Sequence, residues 1–148
     1  MEYSRRQLNN IKANLFEQGY LDDQFHQIEE LQDDASPNFL QEVVTLFFRD
    51  TTRLIDTTEQ ALKKSPQDFR RLDSIMHQFK GSSSSIGALR VKNECSIFRD
   101  HCNQGNIEGC LKSFQKVKKE LAILRQKLEA YFKLLNQSES VAVKKADR

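Results

Sequence analysis

The chain has 148 residues, a formal net charge of +2, five glycines, two prolines and three cysteines. That length is enough for one core without disulfide or metal staples, and so few turn-forming residues argue against an all-β fold. Acids and bases are interspersed throughout, which argues against the single-sign field of a dedicated nucleic-acid binder.

Near the N-terminus Leu8, Ile11 and Leu15 recur at helical steps, and after "EQGY" so do Leu21, Phe25, Ile28 and Leu31. These predict two short helices within about 3–33. "DDASPN" then supplies a start signal, with Ser36 as N-cap and Pro37 at the first helical position. The stripe beyond it, from Phe39 and Leu40 through Val43, Val44, Phe47, Phe48, Leu54 and Ile55 to Leu62, predicts a helix of about seven turns. "KKSPQD" repeats the device, with Ser65, Pro66 and Asp68 opening a helix whose apolar positions are Phe69, Leu72, Ile75, Met76, Phe79 and Ile86. Gly87 and Ala88 make a tight joint to the next helix, where Val91, Cys95, Phe98 and Cys102 recur until "NQGN" stops it. From Asn106 a last helix carries Cys110, Phe114, Val117, Leu121, Leu124, Leu128, Tyr131 and Leu135 at alternating steps of four and three. The cysteines fall at core positions of helices, as expected of a soluble protein from a reducing compartment, and no signal peptide or long apolar run is evident. The expected fold is all-α: an up-and-down four-helix bundle over about 37–136 with two additional short N-terminal helices, one domain over 1–136. A polar, frayed tail is expected over 137–148.

Within that pattern "HQFKGSSSSIGA", residues 77–88, is anomalous, because a mid-helix Gly costs about 1 kcal/mol relative to Ala and each Ser several tenths. On a helical wheel with Leu72 at zero, Ile75, Met76, Phe79, Ser83 and Ile86 lie within about 60° and form the core face. His77 falls at about 140°, Lys80 at about 80°, Gly81 at about 180° and Ser84 at about 120°, so these four share the solvent side. Lys80 and Gly81 are the neighbours of His77 one turn on, which gives an exposed imidazole a cation beside it and bare backbone below. Small outward residues around a histidine suit a partner that approaches closely. Asp73, one turn back, reads equally as a surface charge or as an i,i+4 partner of His77.

"HQFKGSSSSIGA" followed by "RVKNEC" resembles the signature of histidine-containing phosphotransfer (HPt) proteins, of the plant type that works in cytokinin-linked multistep phosphorelays. "FLQEVVTLFFRD" and the helix order fit the same layout. The resemblance implies that His77 is the phosphoacceptor, Lys80 the neighbouring lysine that stabilises phosphate charge and Gly81 the small residue under the phosphate. Gln78 and Ser82–Ser85, with Ser82 and Ser84 on the docking side, form the surrounding polar run. It further implies transfer from the receiver-domain aspartate of a hybrid histidine kinase to that of a response regulator. The chain would have no cofactor of its own, Mg²⁺ would be held by the partner receiver domain, and the protein would be a monomer in cytoplasm and nucleus, without nucleic-acid partner or membrane insertion. Some members of the family lack the histidine and act as inhibitors; this chain retains it. The implied role fits the chemistry: a partly unprotonated imidazole is a nucleophile near neutral pH, and phosphoryl transfer is mostly positioning and charge stabilisation.

Other candidates are weaker. Asp23 and His26 stand three apart, but a bundle metal site asks for Glu-x-x-His on two helices, and the sequence has none. His101 lacks a third partner beside Cys95 or Cys102 and reads as a surface histidine. "GSSSSIG" lacks the Gly-Lys-Ser ending and preceding strand of a phosphate loop, so no nucleotide site and no kinase activity are expected. Phe25, Ile28, Phe47 and Phe48 are candidates for an apolar docking rim. The rival readings are a helical adaptor that binds receiver domains without carrying phosphate, and a nucleic-acid-binding bundle, against which the balanced charge argues.

Overall fold

Six helices carry the chain: α1 (Glu2–Glu17), α2 (Asp23–Glu30), α3 (Phe39–Lys63), α4 (Phe69–Ile86), α5 (Leu89–Asn103) and α6 (Ile107–Ala146). The computed structural model describes residues 2–146, with side chains described for 5–138. No strand occurs among the described residues, only the isolated bridges Leu21–Ala88 and Asp33–Ser36. Helices α3 to α6 form the up-and-down bundle, α4 packing on α3 and α5, and α6 on α5 and α3. The N-terminal pair lies outside it, α1 against α6 and α2 across α3 and α4. Lys12 of α1 and Glu29 of α2 are joined by an ion pair.

The long helices form where the apolar stripes demand it, and one core cluster runs from Leu15 to Leu128. Phe25, Phe79 and Phe98 are fully buried in it, each worth about 1.5–3 kcal/mol in area removed from water. Thr51 and Thr58 share this interior, their hydroxyls donating to the carbonyls of Phe47 at 2.8 Å and Leu54 at 2.7 Å. That i−4 bond satisfies the one polar group each brings into the core.

Four boundaries differ from those expected. α1 occupies sixteen residues, longer than the short helix expected. Helix α3 begins at Phe39 behind Asn38, because the Ser36 amide donates to the Asp33 carbonyl at 3.1 Å and its carboxylate at 2.8 Å, closing the turn Asp33–Ser36, and the Phe39 amide donates to the Ser36 carbonyl at 3.3 Å, closing a second turn that contains Pro37. Helix α6 continues to Ala146, past 136, since no Gly or Pro in "NQSESVAVKKA" stops it; the last two positions of the expected tail lie outside the described residues. Helix α4 also opens later than the Ser65-Pro66 start expected: it begins at Phe69, where Asp68 caps it by accepting from the Arg71 amide at 3.1 Å.

Gly87 closes α4 in the left-handed conformation, φ 77°. A Cβ there would lie 2.5 Å from Asp22 Oδ1 and 2.7 Å from the Phe25 nitrogen. The glycine therefore also admits the start of α2, whose Asp22 amide donates to the Gly87 carbonyl at 2.9 Å. The Leu89 amide donates to the Tyr20 carbonyl at 3.1 Å, so the α4–α5 joint is stitched to the N-terminal segment. These bonds fix the C-terminal end of α4, which is the helix that carries the site.

Candidate functional site

His77 and Gln78 lie on the exposed face of α4, Lys80 is half-buried beside them and Gly81 is exposed one turn on. The core face of the same helix buries Leu72, Ile75, Met76, Phe79, Ser83 and Ile86, so the orientation of His77 is set by packing on the opposite side. The serine run divides by face. Ser83 is fully buried with its hydroxyl donating to the Phe79 carbonyl at 2.9 Å, while Ser82 and Ser84 are half-exposed and Ser85 is exposed, donating to the Ser82 carbonyl at 2.6 Å. A Cβ on Gly81 would meet nothing within 4 Å. Nothing inside the molecule requires glycine there; the opening faces outward.

Helix α5 adds a residue that sequence reasoning missed. Arg99 reaches α4, its Nε donating to Asp73 Oδ1 at 3.0 Å and Nη2 to Oδ2 at 3.4 Å, while Nη1 lies 3.2 Å from His77 Nδ1. Asp73 is thus engaged by Arg99 rather than left as a free surface charge or paired with His77. Its hydrogen bond and charge push the Arg99 pKa further above the ordinary arginine range. Lys80 has no carboxylate within 4.0 Å among the described residues. Its charge is felt at buried Cys95, where it pulls against the burial that pushes that thiol up to about 12. The site therefore holds one exposed imidazole and two cations, one clamped and one uncommitted. Such a group takes up an anion that arrives with its own counter-charges.

The remaining candidates separate from it. His26 sits on α2 with Nε2 3.0 Å from Glu30 and Nδ1 3.5 Å from Glu29, an intrahelical cluster. His101 is half-buried rather than on the surface, its ring packed against Gly109 and its Nδ1 without a partner. Phe25, Ile28, Phe47 and Phe48 are buried and supply no docking rim; Phe47 and Phe48 stack edge-to-face inside the core. Among the described residues the large apolar side chains that are exposed are Leu31, Leu46, Ile97 and Leu111. All three cysteines are buried and free. No described helix is long and apolar enough to cross a membrane.

Residues 42–127, which include every member of this site, match the family described as Hpt domain. The chain belongs to the histidine-containing phosphotransfer family. It is 63% identical over 139 residues to pseudo histidine-containing phosphotransfer protein 2 of rice, covering 93% of this chain and 92% of that one. It is 62% identical over 115 residues to histidine-containing phosphotransfer protein 4 of Arabidopsis thaliana, covering 78% and 91%. The crystal structure of an HPt protein from Medicago truncatula superposes with a TM-score of 0.91 at 43% identity, covering 95% of this chain and 96% of that one. As an HPt protein the chain is a histidine phosphotransfer component of the plant phosphorelay. A relative named pseudo-HPt and one named HPt match it at similar identity, 63% and 62%, so overall identity does not separate the two. Residue 77 of this chain is histidine.

Proposed function

We propose that this HPt protein accepts a phosphoryl group on His77 from the receiver-domain aspartate of a hybrid histidine kinase and passes it to the receiver-domain aspartate of a response regulator. The observation that carries the reading is the exposed imidazole, with Arg99 and Lys80 beside it and open space over Gly81. The ring is the nucleophile, and Lys80 neutralises oxygens of the group in flight. Asp73, the carboxylate one turn from His77, is already engaged by Arg99, so the metal that in-line transfer uses is Mg²⁺ held by the receiver's carboxylates. Gly81 with Ser82, Ser84 and Gln78 forms the low surface on which the receiver seats. The chain acts as a carrier in cytoplasm and nucleus, with no nucleotide site of its own, as a monomer between receivers.

The test is transfer of labelled phosphate from a phosphorylated receiver domain to the wild type and to His77→Gln. An acid-labile, alkali-stable label on the wild type alone supports the reading. Binding of the receiver without label overturns it and leaves the second reading, a competitor that occupies receivers without carrying phosphate. That second reading is favoured by the 63% identity to a relative named pseudo-HPt.

A further inference from the structure

We propose that Arg99, clamped by Asp73, is a positioning residue that sets the ring tautomer of His77 and shields its phosphorylated form. The inference rests on His77 being the carrier. Two guanidinium corners are fixed by the Asp73 carboxylate at 3.0 and 3.4 Å, which leaves the third, Nη1, 3.2 Å from His77 Nδ1. Clamp and imidazole stand on one helix face a turn apart, and the arginine comes from the neighbouring helix, so its orientation is imposed from both sides. A guanidinium has donors and no acceptor. Nδ1 therefore accepts, and the neutral ring carries its proton on Nε2.

This arrangement has opposite consequences before and after transfer. In the free protein the Nδ1 lone pair is occupied and Nε2 bears a proton, so the ring is idle until that proton leaves. In the transfer step the P–O bond of the acyl phosphate breaks, and its electron pair goes to the receiver's carboxylate. For the step the ring proton moves from Nε2 to Nδ1 through water, which displaces Arg99 for that moment; the freed Nε2 lone pair forms the new N–P bond, and the Nδ1 proton of the resulting phosphoimidazolium is released to water. In the product Nδ1 has its lone pair again, so the contact with Arg99 is restored. A phosphoimidazole is lost to water most readily when Nδ1 becomes protonated, because the protonated ring is the better leaving group. An arginine donating to Nδ1 occupies the position that this proton needs. The two cations thus divide the work, Lys80 for the phosphoryl oxygens and Arg99 for the ring.

The experiment reads the ¹⁵N shifts of the His77 ring in unphosphorylated wild type, Arg99→Met and Arg99→Lys, well above the ordinary histidine pKa range, with His77→Gln as the assignment reference. Wild type and Arg99→Lys are expected to show a pyridine-like Nδ1 and a pyrrole-like Nε2. Arg99→Met frees Asp73, one turn back, to accept from Nδ1, so a population protonated on Nδ1 is expected; an unchanged spectrum overturns the tautomer role. Each protein is then phosphorylated with phosphoramidate, which needs no receiver. Label on Arg99→Met should decay about fivefold faster than on wild type, the order of one net hydrogen bond, with Arg99→Lys restored; equal lifetimes overturn the shielding. A normal tautomer shift in a protein that takes no phosphate from any receiver overturns the carrier reading alone.

Discussion

At the residue scale the proposed roles separate groups whose loss should damage chemistry from groups whose loss should damage docking. Lys80 has no carboxylate partner among the described residues, so truncating it breaks no ion pair of the free protein. Lys80→Ala should slow receiver-to-HPt transfer by about tenfold, less than a buried oxyanion donor because the site is open to water. Rapid-quench kinetics with a labelled receiver measure this, and an unchanged rate removes Lys80 from the transition state. Gly81 makes a sharper case, because its two effects have opposite signs. With empty space around its missing Cβ, Gly81→Leu should stabilise α4 by about 0.5–1 kcal/mol through helix propensity while blocking receiver binding. Urea unfolding and a receiver titration read the two separately, and unimpaired binding would remove the close-approach argument. His77, Lys80 and Gly81 were legible because they share one helix, where a 100° rotation per residue places them. Arg99 was not, because its role comes from packing α5 on α4, which no periodicity along a single helix reveals. Asp73 was misread for the same reason, its partner standing twenty-six residues away.

At the element scale, α4 is held at both ends by features written into the chain. Asp68 caps its start, and Gly87 ends it while leaving room for α2. Gly87→Ala combines a left-handed backbone with a Cβ set against Asp22 and the Phe25 amide. It should cost about 2–4 kcal/mol in urea unfolding, and a loss under 1 kcal/mol would mean that α2 moves aside freely. Because the joint lies at the end of the site helix, the same variant is expected to weaken receiver binding even with His77 intact. Helix existence was legible throughout, since long amphipathic stripes fix period and face at once. Starts and stops were less so. Ser36-Pro37 matches a cap signature locally, yet Asp33 captures the Ser36 amide and uses the segment as a turn. The end of α6 carries no breaker to read.

At the scale of the whole molecule the core was legible in membership but not in depth: Phe47 and Phe48 are adjacent on α3, and only the closure of α6 and α4 over that helix buries both. The cysteines show what such closure does to chemistry. Burial pushes the Cys95 thiol up to about 12, reinforced by Glu94 and opposed by Lys80, and burial likewise raises Cys102 and Cys110. The unfolded chain gives up these protons near the ordinary thiol value of about 8.5, whereas the folded chain keeps them. The unfolded state therefore binds fewer protons above that range, and stability contributed by a buried thiol is full below it and falls as pH rises toward about 12. Other groups titrate over the same interval, so the informative quantity is the difference between wild type and Cys95→Ala. At pH 7 the variant should be less stable by about 1–2 kcal/mol from the cavity it leaves. By pH 10 the gap should narrow or reverse by about 2 kcal/mol, since only the wild type still holds a thiol whose unfolded form ionises. A gap that stays constant from pH 7 to pH 10 would mean that Cys95 meets solvent in the folded protein and that the bundle opens between α4 and α5, the interface that carries Arg99 to His77.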